Sequence, residues 1–169
     1  MKTRFLIIAS LSLAVLLLVL YIQKKSSLIL KTGQPAPEFS ALNLQSEQKN
    51  LSDFHGKVVL LNFWASTCGP CEWEMPSLNA LYQRYESRGF VVVGMSVGEA
   101  PLMVVKFLRR VSISFPILLD EDLSISDRYG TYRIPESYLI DRQGNLAEKI
   151  SGAYNWNQPN FWAKIENLL

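Results

Sequence analysis

Two continuous apolar runs in the middle of the chain are separated by a stretch with helical periodicity. The runs cover residues 58–65 and 90–97 and are rich in β-branched and aromatic residues, a composition typical of strands buried on both faces of a parallel sheet. Between them, apolar residues recur at helical spacing over residues 69–88, and Gly89 follows as a stop signal. This strand–helix–strand pattern predicts an α/β fold with a parallel core.

Shorter patterns on either side extend this core. They predict a strand near residues 39–44, helices near 101–111 and 123–129, two strands around a turn at Gly144, and an amphipathic helix over 157–169. The two late strands form a hairpin, which adds an antiparallel edge to the parallel core. We therefore expect a mixed central sheet with flanking helices and an N-terminal strand extension.

A different hydrophobic pattern occupies the N-terminal end of the chain. Residues 5–22 carry no charge, and 18 such residues in a row come close to the ~20 that a helix needs to cross the hydrocarbon core. The run ends in LYIQKKSSL and offers no small-x-small cleavage site. We favour an uncleaved signal-anchor over residues 1–25 rather than a cleaved signal peptide, then a tether over 26–34 and one globular domain over 35–169.

Charge is distributed unevenly along the chain, whose formal net charge is +2. Basic residues flank the apolar run on both sides, at Lys2 and Arg4 and at Lys24 and Lys25, so the positive-inside rule does not decide its orientation. Long domains cross membranes largely regardless of charge, and we expect residues 26–169 to lie outside the cytoplasmic membrane. The globular part has no basic run, which argues against nucleic-acid binding.

The only two cysteines, Cys68 and Cys71, lie where the first buried strand gives way to the helix, in the stretch NFWASTCGPCEWEMP. A helix N-terminus favours negative charge, because its first N–H groups have no partner within the helix. Cysteines in this position have a lowered pKa and are reactive as thiolates. Cys68 is therefore predicted to be the nucleophile, and Cys71, one turn further into the helix, is predicted to be the resolving thiol.

Two other uses of the cysteine pair explain the sequence less well. A structural zinc site needs more ligands than two cysteines and one histidine provide. An inert disulfide would close a very short loop and would add little stability. We expect dithiol–disulfide chemistry at Cys68 and Cys71, with no metal and no cofactor.

Several stretches beyond the cysteine motif carry a family resemblance. GQPAPEF, LSDFHGKVVLLNFWA, CxxCxxEMP, VVVGMSVGE, FPILLD and IPESYLIDRQGNL follow one another over residues 31–155. In this order and spacing they resemble the membrane-anchored thiol-disulfide oxidoreductases of the TlpA, ResA and CcmG (DsbE) family, which have the thioredoxin fold.

The resemblance implies a location, a reaction and partners. The protein would be a single-pass protein of the bacterial cytoplasmic (inner) membrane, in contact with lipid through residues 5–22 and with its soluble domain on the periplasmic or extracytoplasmic side. It would reduce disulfides of protein substrates, with apocytochrome c in cytochrome c maturation as a frequent case. A membrane electron donor of the CcdA/DsbD type would then reduce it again.

The resemblance also implies roles for two residues outside the cysteine motif. Pro135 matches the family's cis-proline, which faces the cysteines and helps to dock the substrate; the alternative is an ordinary proline at the start of a strand. Glu99 matches an acidic residue near the active site. Because Asn62 stands where thioredoxin has a buried aspartate, Glu99 becomes the candidate to accept the proton of Cys71. A helix cap before Pro101 is the alternative for Glu99.

Other positions near the motif bear on substrate binding. Trp64 matches the family's aromatic residue beside the motif and is a candidate substrate contact, with simple core packing as the alternative. Thr67 replaces the usual tryptophan before the first cysteine, which leaves a smaller apolar platform. Glu136 replaces the usual threonine after the cis-proline and is also a candidate for substrate binding. Together with Glu72 and Glu74, it predicts an acidic rim that favours basic substrates.

Three functions remain open from the sequence. The first is a reductase, in which reduced Cys68 attacks a substrate disulfide and Cys71 releases the product. The second is a thiol oxidase that runs the same steps in reverse, since direction depends on the reduction potential. The third is a tethered binding or chaperone module whose thiols are incidental. The Gly-Pro pair between the cysteines matches that of thioredoxin and favours reduction.

Overall fold

The computed structural model describes residues 13, 15–18 and 30–169. Residues 13 and 15–18 are helical and exposed, while the rest of the expected membrane anchor, and residues 26–29 of the tether, lie outside the described residues. Within the described parts, no helix is long and apolar enough to cross a membrane. The chain divides into two units, Met1–Leu30 and Lys31–Leu169, and all strands of the described chain belong to the second.

A seven-stranded mixed sheet forms the centre of the second unit. Its strands are β1 (Ser40–Asn43), β2 (Gln48–Asn50), β3 (Val58–Trp64), β4 (Phe90–Val97), β5 (Ile117–Asp120), β6 (Glu136–Ile140) and β7 (Leu146–Ser151). The strand order is β2-β1-β5-β4-β3-β6-β7. β3, β4 and β5 are parallel to one another, and all other pairings are antiparallel. The predicted parallel core and late antiparallel hairpin are thus confirmed.

Four helices accompany the sheet: α1 (Gly69–Tyr85), α2 (Pro101–Leu108), α3 (Ser124–Tyr129) and α4 (Pro159–Leu168). α1 is shorter than predicted, because its last residues form a separate 3₁₀ turn, Glu86–Arg88. That turn ends at Gly89 with a φ of 91°, a left-handed conformation that glycine adopts without steric cost. α2 is also shorter than predicted, ending at Leu108.

The continuous apolar run of β3 reflects burial on both faces of the sheet. All seven residues of Val58–Trp64 are buried. Trp64 packs against Phe107 of α2, with 4.8 Å between the ring centroids. Its neighbour Phe63 points to the opposite face and packs against Tyr138, with 5.6 Å between the centroids. The end of β3, from which the cysteine motif leaves, is therefore held from both sides.

A glycine in β4 allows unusually close packing near this strand end. A Cβ atom added to Gly94 would lie 2.6 Å from Ile117 Cδ1, 3.0 Å from Phe115 Cε2 and 3.1 Å from Trp64 Nε1. Only glycine leaves room for these three side chains. Their close approach to the backbone helps to fix Trp64, the last residue of β3.

Candidate active site

Cys68 and Cys71 lie at the N-terminus of α1. Cys68 is the N-cap residue, and its Sγ accepts a hydrogen bond from the Cys71 backbone N–H at 3.2 Å. Pro70 lies in the first turn, where a missing N–H costs no helical hydrogen bond. The two cysteines are joined by a disulfide. Cys68 is partly buried and Cys71 fully buried, which agrees with an attacking and a resolving role.

A fully buried carboxyl group lies one turn beyond Cys71 in the same helix. Glu74 has no exposed surface. Its Oε1 accepts a hydrogen bond from Asn62 Nδ2 at 2.8 Å, and its Oε2 accepts hydrogen bonds from the Tyr154 backbone N–H at 3.0 Å and from Trp156 Nε1 at 3.2 Å. All three donors come from outside α1, and together they hold the carboxyl group in place.

Burial raises the pKa of Glu74, although its three hydrogen bonds oppose the shift. Residues three apart on a helix are neighbours, about 5–6 Å apart at Cβ, and both Cys71 and Glu74 belong to the buried face of α1. Glu74 is therefore a candidate to exchange a proton with Cys71. The expectation that Glu74 lies on an exposed rim is wrong.

Asn62 supports this carboxyl group from β3. Its Nδ2 donates to Glu74 and also to Ser137 Oγ, the latter at 2.9 Å. Its Oδ1 is buried and accepts no hydrogen bond from any described residue. Asn62 thus acts as a donor that orients Glu74.

The structure gives Glu99 a different setting from the expected one. Its carboxylate accepts hydrogen bonds from the backbone N–H of Ser66 at 2.7 Å, from Ser96 Oγ at 3.0 Å and from Ser66 Oγ. No side-chain hydrogen bond caps α2, so the alternative of a helix cap is also unsupported. Glu99 instead ties the loop before Cys68 to the end of β4. The role of Glu99 as proton acceptor of Cys71 stays a prediction, and Glu74 is a second candidate for that role.

The Ile134–Pro135 peptide bond is cis, which confirms the prediction for Pro135. The next residue, Glu136, pairs with Phe63 in the sheet register, so Pro135 lies at the edge where β3 ends and the cysteine motif begins. This register brings the proline and the cysteine loop to the same end of the sheet. A role for Pro135 in docking substrate stays a prediction.

Glu136 is a structural residue rather than part of a substrate surface. It is only 6% exposed. Its carboxylate lies 3.1 Å from Lys149 Nζ and accepts a hydrogen bond from Ser151 Oγ at 2.8 Å, both on β7. Because Glu136 pairs with Phe63, it lies on the face of the sheet opposite to Asn62 and Glu74. The burial of Glu136 argues against the expectation that it binds substrate.

Two further expectations about the surface are also corrected. Trp64 is fully buried, so its position favours core packing over substrate contact. With Glu74 and Glu136 buried, only Glu72 of the expected acidic rim is exposed, and it lies 3.7 Å from Arg110 Nη2. These three glutamates therefore do not form the predicted acidic rim. The large apolar side chain exposed on α1 is Trp73, at 63%.

Comparison with known proteins decides the family. The AhpC/TSA family model matches residues 32–149. The chain belongs to the AhpC/TSA family. Thiol-disulfide oxidoreductase ResA of Geobacillus thermodenitrificans is 39% identical to it over 120 residues, which cover 71% of this chain and 69% of that protein. ResA of Bacillus thuringiensis subsp. konkukian is 36% identical over 123 residues, covering 73% and 71%.

A comparison with solved structures agrees with this family assignment. A Chlorobium tepidum protein described as thiol:disulfide interchange protein DsbE superposes with a TM-score of 0.77 and 32% sequence identity. The match covers 82% of this chain and 98% of that one. The predicted thioredoxin-like fold and the predicted enzyme class are confirmed: the protein is a thiol-disulfide oxidoreductase with a Cys68–Cys71 pair.

Proposed function

We propose that this AhpC/TSA protein reduces disulfides of protein substrates outside the cytoplasmic membrane, to which residues 5–22 anchor it. The observation that carries the direction of the reaction is the burial of Glu74 one turn from the buried Cys71. A protein with a thioredoxin-like fold and two cysteines can either reduce or oxidise its substrates. The groups around the cysteines decide which way it runs, because they set the relative stability of the dithiol and the disulfide.

The reaction begins with the reduced protein. The Cys68 thiolate attacks one sulfur of the substrate disulfide, that bond breaks, and the second substrate sulfur leaves and takes up a proton. Cys71 then gives its proton to Glu74 and attacks Cys68 Sγ. The mixed disulfide breaks, the substrate leaves with both sulfurs reduced, and Cys68 and Cys71 form a disulfide. Two electrons have passed from the protein to the substrate.

Glu74 favours this direction for an electrostatic reason. An ionised carboxylate beside Cys71 disfavours a second negative charge, so it raises the pKa of the thiol. A dithiol whose thiolate is disfavoured is less stable relative to its disulfide, and such a pair gives electrons readily. The dipole of α1 acts in the opposite sense on Cys68. We infer that the effect of the buried carboxyl group on the stability of the dithiol is larger than the effect of the helix dipole.

The proposed setting rests on the family resemblance and on redox chemistry. Outside the cytoplasm thiols tend to become oxidised, so a reductase there needs electrons from within the membrane. We propose a donor of the CcdA/DsbD type, apocytochrome c among the substrates, and Pro135 as a docking residue for the substrate chain. The relatives named ResA support the redox class of these partners.

Trapping experiments test the proposed reaction. The reduced full chain in a mild detergent is mixed with insulin, whose disulfides are a general probe. We expect one insulin disulfide to be reduced for each Cys68–Cys71 disulfide formed. Cys71→Ser should stop at a covalent complex through Cys68, and Cys68→Ser should form none.

Two results would contradict the proposal. The oxidised chain could transfer its disulfide to reduced insulin while the reduced chain is inert, which would make the protein an oxidase. Alternatively, in cells that lack the protein, a Cys68→Ser/Cys71→Ser variant could restore the lost phenotype in full, which would make it a binding module.

A further inference from the structure

A groove of about 330 Å³ opens directly beside the cysteine loop. It is lined by Ser66, Thr67, Met103, Lys106, Phe107 and Arg110. The first two residues immediately precede Cys68, and the other four belong to α2 and the residues that follow it. The groove is therefore continuous with the loop that presents the reactive sulfur, and a chain bound to Cys68 through its own sulfur would pass next to it.

The wall of the groove on the cysteine side is fixed in place. Glu99 accepts hydrogen bonds from both the backbone N–H and the hydroxyl of Ser66, and one from Ser96 Oγ at the end of β4. The opposite wall is α2, whose Phe107 is buried against Trp64. Because both walls are anchored in the sheet, the groove is preformed, which reduces the entropy lost on binding.

The groove combines an apolar lining with positive charge. Met103 is 43% exposed and supplies the accessible apolar surface, while Phe107, which also lines the groove, is only 1% exposed. Arg110 is engaged: its guanidinium carbon lies 5.5 Å from the Phe107 ring centroid and its Nη2 lies 3.7 Å from Glu72. Lys106 has no carboxylate within salt-bridge distance among the residues that the structure describes. One cation at the groove is thus available to a ligand.

We propose that this groove is the specificity subsite for the substrate polypeptide, and that it selects a segment with a large apolar residue and a carboxylate beside the disulfide. The inference rests on the proposed reductase function and names its substrate chemistry. A volume of about 330 Å³ is near the lower end of ligand pockets, ~300–1,000 Å³, and suits one or two side chains. Lys106 pairs with the carboxylate, and Met103 contacts the apolar side chain.

Four cyclic disulfide peptides test the charge and the apolar preference separately. They differ only in the two residues beside one cysteine: Leu-Glu, Leu-Gln, Leu-Lys or Gly-Glu. The kcat/KM for reduction is measured with the full chain and a chemical reductant. We expect the Leu-Glu peptide to exceed the Leu-Lys peptide roughly fivefold at low salt. This ratio should fall as salt is added, because surface charges are screened.

Substitutions with matched controls on α2 locate the effect. Lys106→Glu should reverse the order of the Leu-Glu and Leu-Lys peptides, whereas Arg109→Glu, an equal charge change at an exposed residue outside the groove, should preserve it. Met103→Ser should remove the preference for Leu-Glu over Gly-Glu, whereas Leu102→Ser, at a 63% exposed residue outside the groove, should retain it.

The ratio between peptides is the readout because an effect of a charge change on the reactivity of Cys68 itself would alter kcat/KM for every peptide equally. Equal kcat/KM values for all four peptides, or the same ratios in Lys106→Glu and Arg109→Glu, would overturn the groove proposal and leave the reductase function intact. If neither the peptides nor insulin are reduced at all, the reductase function itself fails, and this inference fails with it.

Discussion

Asn62 Nδ2 donates a hydrogen bond to Glu74 Oε1 at 2.8 Å, and both side chains are fully buried between β3 and α1. The strand thus supplies a neutral donor and the helix supplies the acid. In thioredoxin, which this chain resembles, the acid is an aspartate at the strand position. We propose that the same chemical task, proton transfer at the resolving cysteine, is performed here by a residue of the cysteine helix itself.

The first prediction concerns the reduction potential. Glu74→Gln removes the charge beside Cys71, stabilises the reduced form and makes the potential less negative, by roughly 30 mV for each tenfold change in the equilibrium constant. It also removes the base that activates Cys71, so the mixed disulfide with a substrate should resolve roughly 10²-fold more slowly. Equilibration with a glutathione buffer and rapid-quench trapping measure the two effects.

The matched control for this prediction is Glu72→Gln. Glu72 lies two residues earlier in α1 but is exposed and paired with Arg110. We expect the reduction potential of the Glu72→Gln protein, and the rate at which its mixed disulfide resolves, to stay close to those of the wild type. Equal changes in Glu72→Gln and Glu74→Gln would mean that general surface charge, rather than the buried carboxyl group, governs the reaction.

A second prediction follows from the pKa of Glu74, which burial raises. The unfolded chain releases this proton at a pKa of about 4.3, before the folded chain does. The folded state therefore binds more protons between these two pKa values, and its free energy of unfolding falls as the pH rises through this window. Denaturant unfolding of the oxidised chain from pH 4 upward should show this decrease. The Glu74→Gln protein should lack this decrease in the free energy of unfolding. A variant with the same pH dependence as the wild type would refute the prediction.

The predictable parts of this fold are those whose signal is local. β3 and β4 have continuous apolar runs because both faces of each strand are buried. β2 has no such signal: its three residues, Gln48–Asn50, are polar, and they form a strand only because β1 pairs with them. The four residues of β5 are all buried, but so short an apolar run does not distinguish a strand from a helix.

The same distinction applies to the site. The cysteines and the cis-proline are recognisable because their motifs are short. The burial of Glu74 depends on partners 12, 80 and 82 residues away in sequence, which no local pattern reveals. One signal was present: Glu74 lies between Cys71, Met75 and Leu78 on the apolar stripe of α1, where a charged residue needs partners.

The third prediction concerns the ion pair behind the cis-proline. The Glu136 side chain is 8% exposed and that of Lys149 is 34% exposed, with 3.1 Å between the charged atoms. Lys149→Met leaves a buried carboxylate without its cation and should lower the free energy of unfolding by about 1–3 kcal/mol. Adding Glu136→Gln should recover most of this loss. Lys164→Met, which breaks an exposed pair with Glu148, should cost less than about 1 kcal/mol; similar losses in both single variants would contradict the argument.

The fourth prediction concerns Gly94. Gly94→Ala places a methyl group 2.6 Å from Ile117 Cδ1, so the core must shift, and we expect a loss of about 1–3 kcal/mol in unfolding free energy. Gly69→Ala is the control, since nothing lies within 4 Å of a Cβ atom there. Thermal and denaturant unfolding compare the two. A Gly94→Ala protein as stable as Gly69→Ala would mean that the packing around Trp64 is looser than described.

The central claim is that Glu74 and its surroundings make the Cys68–Cys71 pair an electron donor. Its most direct test is the equilibrium reduction potential of the full chain, measured against a defined thiol buffer at neutral pH. We predict a value closer to that of thioredoxin, about −270 mV, than to that of the oxidant DsbA, about −120 mV. A value of about −120 mV is typical of a protein that forms disulfides in its substrates. Such a value would contradict the claim and reverse the proposed reaction.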